Sequence, residues 1–344
     1  MFLSLALRVL VNVEAFNAVE TVGNLTKHRR APMVVADSGG YKLIYVPAVS
    51  GESVANAFQR NLVRAAELIY GREGVNPPIT EWDRRLEFVK FMDKNHLTES
   101  LKKVLTAKGD VREKKHEFEK TAIKESIVAD VGGFLYAEEE LPVKRTSRLQ
   151  TGYLLPTYDS VEAVAIEAQF HARHVPAETR AGGQEGQRKG QMIYYVEIAS
   201  AVYGMTLNLD IEGVGRTSLV RVEDAVSADE KVRRIKSALL ALSAMFTGEG
   251  FGAKLSRFLP VRTIESAVGV LSEPLAFVTS PPQRRDYIED TVLRAKNTSE
   301  VLRKLGVEPE IKVLAYAKEV PEGAVKASSI EDLFRKLTEE VLKE

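Results

Sequence analysis

The first fourteen residues, MFLSLALRVLVNVE (1–14), admit two readings, and the choice between them sets the fold. An apolar start suggests a secretory signal, but the basic start and cleavage site that such a signal needs are missing. Period two fits better. Leu3, Leu5, Leu7, Val9, Val11 and Val13 fall on one face, while Ser4, Arg8, Asn12 and Glu14 fall mainly on the other. The segment is therefore expected to be a core β-strand. No uncharged run approaches the ~20 residues that cross a bilayer, so no membrane partner is expected.

Working outward, the polar stretch Glu20 to Arg30 is followed by Tyr41 to Val49, which has strand composition. A helix follows. Ser50 suits its N-cap, and Val54, Phe58, Leu62 and Ala66 form an apolar stripe, leaving Asn56, Gln59, Arg60 and Arg64 outside it. From Gly71 to about Lys124 the composition shifts. Pro77 and Pro78 break the chain, and Leu86, Val89 and Met92 have helical spacing, which fits an inserted helical subdomain. Asp130 to Tyr136, with Gly132 and Gly133, reads as a loop or short strand leading to Lys144, Arg145 and Arg148.

Glu162 to His171 alternates, which places Val164, Ile166, Ala168 and Phe170 inward and Glu167, Gln169, His171 and Arg173 outward. A second strand is expected over Ile193 to Leu209. The interval Arg173 to Gln191, glycine-rich and basic, is too polar to pack and too long for a tight turn, so it should protrude as a loop. Ser227 and Glu230 form an S-x-x-E capping box for a helix with the stripe Val232, Ile235, Leu239, Leu242 and Phe246. A glycine-rich turn at Gly248 to Gly252 precedes Lys254, Ser256 and Arg257, and a last strand is expected around Thr263 to Leu271. The order β-α-(insertion)-β-β-α-β is that of an α+β, ferredoxin-like (RRM-like) fold. The final 60 or so residues add helices, one capped by Ser328 with Glu331.

Charge and composition narrow the function. The chain has 344 residues, 44% hydrophobic and 28% charged, which is ordinary for a folded protein. Lysine plus arginine and aspartate plus glutamate number 48 each, so no net field draws it to polyanions. With no cysteine there is no disulfide frame, thiolate zinc site or cysteine nucleophile, and a reducing cytoplasm is expected. Basic residues are nonetheless clustered: Lys27 to Arg30, Lys144 to Arg148, His171 to His174, Arg188 with Lys189, and Lys254 to Arg257. Such patches in a neutral chain suit a groove for a polyanion, or else five unrelated solvated faces. The aromatic RNP1 pattern of base-stacking RRM domains is missing, so bound RNA would be held by phosphate and sugar.

Several motifs carry less. Gly51-Glu-Ser53-Val-Ala55 resembles a nucleophile elbow without its last glycine, and Ser53 is better read as solvating a helix start whose N–H groups suit phosphate oxygens. Gly248-Glu-Gly-Phe-Gly252 before Lys254 lacks the Gly-Lys-Ser/Thr of a phosphate loop and follows a helix. The five histidines, at 28, 96, 116, 171 and 174, have no metal-site spacing, so no metal or cofactor is expected. His171 on a polar strand face can be solvated, contact sugar or phosphate, or act as acid or base.

Seven stretches in order resemble one family: Asn12 to Asn17, Val22 to Pro32, Val49 to Ser53, Ala129 to Phe134, Arg145 to Arg148, Glu167 to Arg173 and Ser256 to Pro260. They resemble the CRISPR-associated autoregulator family of the RAMP superfamily, in particular backbone subunits of archaeal type I-A Cascade. The resemblance implies a non-catalytic protein that binds CRISPR RNA, polymerises head to tail along it, meets other Cascade subunits, and leaves guide bases to pair with target DNA. It also implies a modified ferredoxin-like palm (1–70, 150–172 and 192–280), inserted fingers (71–149), a thumb (173–191) and a C-terminal helical extension (281–344). By the same resemblance, Asn24, His28, Arg29, Ser50, Gly51, Arg145, Arg148, His171, Lys254, Ser256 and Arg257 would line the RNA groove, with no catalytic residue. A metal-independent endoribonuclease using His28 or His171 is the alternative within that superfamily.

Overall fold

A computed structural model describes residues 1–138, 141–173, 192–248 and 252–343. From residue 174 onward the expected loop at 173–191 lies outside the described residues, as do Glu139, Glu140 and positions 249–251. The chain runs β1 (Phe2–Glu14), β2 (Ala18–Val22), β3 (Leu25–His28), β4 (Arg30–Asp37), β5 (Gly40–Pro47) and α1 (Gly51–Arg72). Then come α2 (Glu81–Arg84), α3 (Glu99–Thr106), α4 (Val111–Glu125), α5 (Ile127–Gly132), β6 (Phe134–Tyr136) and β7 (Val143–Arg145). Next are β8 (Leu149–Thr151), β9 (Leu155–Pro156), β10 (Ala165–Arg173), β11 (Met192–Asp210), α6 (Ala228–Thr247) and β12 (Val261–Glu273). Last are α7 (Tyr287–Lys304), β13 (Glu310–Tyr316), β14 (Val325–Lys326) and α8 (Ile330–Val341).

The architecture is α+β around one mixed sheet, whose centre runs β12-β1-β11 with β10 pairing β11, every one of these pairs antiparallel. Leu3, Leu5, Leu7 and Val11 of β1 and Tyr203, Met205, Leu207 and Leu209 of β11 are buried in one core with residues of α1, α6 and α8. The alternation of β1 is broken once. A bulge after Val11 puts Val13 at φ 58° and half exposes it, while Glu14 is fully buried. A one-residue slip exchanges faces, which is why period two misplaced both residues.

The second sheet face is covered too, so the expected polar side of β1 is not solvated. Ala6 packs with Val268, Val270, Phe277, Tyr287 and Ile288 under α7, Ser4 hydroxyl lies 3.2 Å from Thr279 Oγ1, and Arg8 is paired with Asp159 at 2.7 Å. Part of this cover, α7 with Tyr287 and Ile288, comes from residues 281–344, which supply two strands besides two helices: β13 extends the sheet alongside β12. An amphipathic helix pattern dominates that segment by eye, whereas a short edge strand declares itself only through its neighbour. Ser329, not Ser328, caps α8 by accepting from Asp332 N at 3.2 Å.

Sequence signals for the two main helices hold at the caps and for most of the stripes, but Val232, expected in the α6 stripe, is exposed. Ser50 caps α1 by accepting from Ser53 N, and Ser227 caps α6 by accepting from Glu230 N. Glu230 does not close the box, because its carboxylate instead accepts from Tyr70 hydroxyl (2.7 Å) and Arg234 Nε (2.8 Å). Gln59, expected outside the α1 stripe, is buried against Gly132. Residues 71–138 and 141–149 carry four helices and have a small core of their own, with Phe91, Leu101, Phe118, Phe134, Tyr136 and Val143. α5 ties this part to the main core through Ile127, Val128 and Val131.

Candidate nucleic-acid interface

The entrance of α1 is built by backbone chemistry at three chain segments. Asn17 is buried, accepts from Ser50 N through Oδ1 (2.8 Å) and from Arg29 N through its carbonyl (3.1 Å). Arg29 carbonyl in turn accepts from Ala48 N at 3.0 Å. The loop after α6 closes on the same place: Ala253 N donates to Phe16 carbonyl at 3.0 Å. Gly252 has φ 120°, and a Cβ there would stand 2.4 Å from Phe16 Cδ1, so close approach to Phe16 is what its missing side chain permits.

These contacts leave a cleft of about 470 Å³ over the first turns of α1, lined by Asn17, Arg29, Ser50, Asn56, Arg60 and Arg64 among others. Helical spacing explains the last three, at i, i+4 and i+8 on the exposed side of α1. The N–H groups and positive end of the helix dipole add to their charge. Among the described residues, one carboxylate lines this cleft. Glu52 is held below the usual carboxylate range by its own backbone N–H, then by Ser50 hydroxyl and the Arg29 charge. A second cleft, of about 560 Å³, is lined by Lys27, Arg29, Arg30, Tyr45, Glu20 and Glu197, with His28 beneath. Arg29 lines both, so the two clefts adjoin at its side chain.

Below these clefts lies a buried network. Glu14 accepts from Tyr203 hydroxyl (2.7 Å) and Phe16 N (2.6 Å), and His28 Nε2 stands 2.8 Å from its Oε1. His28 Nδ1 meets Arg29 carbonyl at 2.8 Å. Burial lowers the imidazole pKa, but Glu14, by hydrogen bond and charge, with Arg29 carbonyl and Glu197, outweighs it and leaves His28 above its ordinary 6.5. His28 is 3% exposed, so its side chain acts on the clefts from below and does not reach a ligand in them. Gly51 is likewise turned away, its carbonyl accepting from Thr151 Oγ1 at 3.0 Å.

The N-terminal end of β11 gathers most of the others. Asn24 Nδ2 donates to Ile193 carbonyl (3.3 Å) and its carbonyl accepts from Tyr195 N (2.8 Å). His171 is stacked on Tyr194, ring centroids 5.1 Å apart, and meets Phe258 edge-on, so it packs inward where alternation expected it to face out. Phe170, expected inward, is exposed. Cover there comes from Phe258 in the 252–258 loop. Arg257 donates to Tyr194 hydroxyl and stands over its ring, while Lys254 carbonyl accepts from Arg257 N and Phe258 N. Lys254 is half-buried, with its ammonium pKa lowered by desolvation and then by Arg257; Ser256 is exposed.

Arg145 and Arg148 are elsewhere. Arg148 pairs with Asp210 at 3.0 Å, at the far end of β11, some sixteen residues or roughly 50 Å along the strand from Tyr194. Arg145 is fully enclosed, bound to Asp130, to Glu119 (3.2 Å) and to the carbonyls of Arg216 (2.6 Å) and Gly213 (3.1 Å). Desolvation lowers its pKa and Asp130 opposes this. A basic run reports local composition, not where acidic partners distant in sequence will fold, and so it misled for this pair. Sequence reading passed over Asn17, Asn56, Arg60, Arg64 and Tyr194 as site residues. The signal for three of them was present in the polar face of α1.

A family model described as CRISPR-associated negative auto-regulator DevR/Csa2 matches residues 5–292. A curated relative from Saccharolobus solfataricus, "CRISPR-associated aCascade subunit Cas7/Csa2 2", is 36% identical, the match covering 97% of this chain and 99% of that protein. A Methanocaldococcus jannaschii protein, "CRISPR-associated protein Cas7/Cst2/DevR", is 29% identical over 99% of this chain and 100% of its own length. Among solved structures, a chain of a "CRISPR RNA-guided surveillance complex, pre-nicking" aligns with TM-score 0.52 and 11% identity, covering 99% of this chain and 100% of that one; it speaks for the fold alone. The chain belongs to the DevR/Csa2 family of CRISPR-associated proteins.

Proposed function

We propose that this protein is a repeated, non-catalytic backbone subunit of a Cascade complex, which holds CRISPR RNA by its phosphates and leaves the bases to pair with target DNA. The single observation that carries the reading is that Arg29 lines both the α1 entrance and the Lys27–Arg30 cleft, which supports one cationic track. Guanidinium groups and helix N–H groups recognise phosphate without reading sequence, as a carrier of variable guides requires. Asn24, His171, Lys254, Ser256 and Arg257 at the β11 end would continue that track. His28 and Gly51 position it, and Arg145 and Arg148 brace the fold. Strand order β12-β1-β11-β10, all antiparallel, supports a ferredoxin-like palm; residues 71–149 would be its fingers, and the expected thumb lies outside the described residues from 174 onward. The names of the relatives support assembly with other Cascade subunits.

The endoribonuclease reading gains nothing from His28, whose two ring nitrogens already face Glu14 and Arg29. The test is fluorescence anisotropy with two unrelated single-stranded RNAs of equal length, titrated with salt under chelation. Equal affinities that fall steeply with salt, with both RNAs intact afterwards, are expected. Strong preference for one RNA, its cleavage, or no binding would overturn the reading.

A further inference from the structure

The hairpin β4–β5 has one face that the fold leaves uncovered. Met33, Val35 and Val46 point inward and pack near Leu155 and Val161. On the outer face the ladder pairs Pro32 with Tyr45, Val34 with Leu43, and Ala36 with Tyr41. Tyr41 is 83% exposed, Tyr45 68%, Leu43 57% and Val34 57%. A contiguous apolar strip of this kind on a two-stranded hairpin marks a contact surface. Its chemistry is legible from what adjoins it. Tyr45 is also a wall of the cleft that holds Lys27, Arg29 and Arg30. A ligand that follows this surface must be anionic along one edge and flat and apolar along the other. A nucleotide strand has that form, whereas a second protein copy would need acidic and aromatic-binding groups in the same alternation.

We propose that the outer face of the β4–β5 hairpin is a stacking platform for bases of single-stranded nucleic acid, where the strand leaves the cationic track at Arg30. Tyr45 takes the first base, Leu43 is the floor, and Tyr41, four residues or about 13 Å along the strand, takes a later one. This goes beyond phosphate holding, although it rests on the proposed nucleic-acid track. The track alone accounts for charge; the platform adds a site that needs unpaired bases.

The experiment compares the full chain with the Tyr41→Ser/Tyr45→Ser and Tyr41→Phe/Tyr45→Phe variants. Each is titrated with single-stranded RNA, single-stranded DNA and duplex RNA at several salt concentrations. The serine pair is expected to bind single strands at least about thirtyfold more weakly. Its salt slope should be unchanged, because tyrosines release no counterions. The phenylalanine pair should bind like the parent, and duplex binding should be alike in all three. The RNA and DNA arms tell which strand uses the platform, and a loss in either supports it. A parent that binds single strands together with a serine pair that binds equally well overturns the platform and leaves the track standing. A serine pair that loses only self-association, seen by sedimentation, overturns it in favour of a copy-to-copy contact. A parent that binds no nucleic acid overturns both readings.

Discussion

Two arginine clusters of this molecule are alike in sequence and opposite in structure. At the α1 entrance, Arg29, Arg60 and Arg64 line an open cleft with Glu52 as the carboxylate among its lining residues. Around Asp130, by contrast, Arg145 and Arg234 are buried, each bound to that carboxylate, and Asp130 also accepts from Gly215 N at 3.0 Å. Charge in the first cluster is exposed at the cleft and can be given to a ligand. In the second it is already spent on holding α5, β7 and α6 together. Exposure and counter-charge, not the number of cations in a run, separate a binding surface from a brace.

Breaking the brace should have the largest effect. Arg145→Ala leaves Glu119 and part of Asp130 uncompensated in the interior, and such a loss costs about 3–5 kcal/mol. Urea unfolding of the variant should show a much lower midpoint, and an unchanged midpoint would contradict the assignment of Arg145 to structure. Breaking the surface should do the reverse. Arg29→Ala/Arg60→Ala is expected to weaken RNA binding about ten- to a hundredfold, lower the salt slope by about 0.7 per lost contact, and barely move the unfolding midpoint. Affinity that survives this double change would remove the cleft from the site.

A smaller effect sharpens the comparison at the loop that closes on the α1 entrance. Gly252→Ala must strain a φ of 120° and displace Phe16, for roughly 1–3 kcal/mol. Gly71→Ala, in α1 with open space around it, should instead stabilise by about 0.5–1 kcal/mol. Thermal melts of the two variants should move in opposite directions. The smallest effect concerns His28. Its folded pKa is raised, so its stabilising share is complete below about 6.5 and is lost as pH rises through the higher folded value. Melting temperature should decline modestly over that window in the parent, and His28→Gln should flatten the decline.

Local pattern was enough for much of the fold. Ser50 and Ser227 as caps, the α1 stripe, the α6 stripe apart from Val232, and the long strands β1, β11 and β12 were legible, because capping and periodicity act within a few residues of chain. Seven ordered stretches were also enough to place the chain in its family. The failures share a cause. The Glu14 bulge, the inward turn of His171, the edge strand β13 and the cover over Ser4 and Arg8 each depend on a partner far along the chain.

By itself, the sequence determined which segments can be helix or strand, where α1 begins, and that cations are gathered in a neutral chain. Only the tertiary structure decided which of those cations remain available. Arg29 stays open because Asn17, Ser50 and Gly252 shape a cleft around it, whereas Arg145 is enclosed because Asp130, Glu119 and Gly213 arrive from other elements. A charge is usable only if folding leaves it in water without a counter-ion, and contacts distant in sequence settle that.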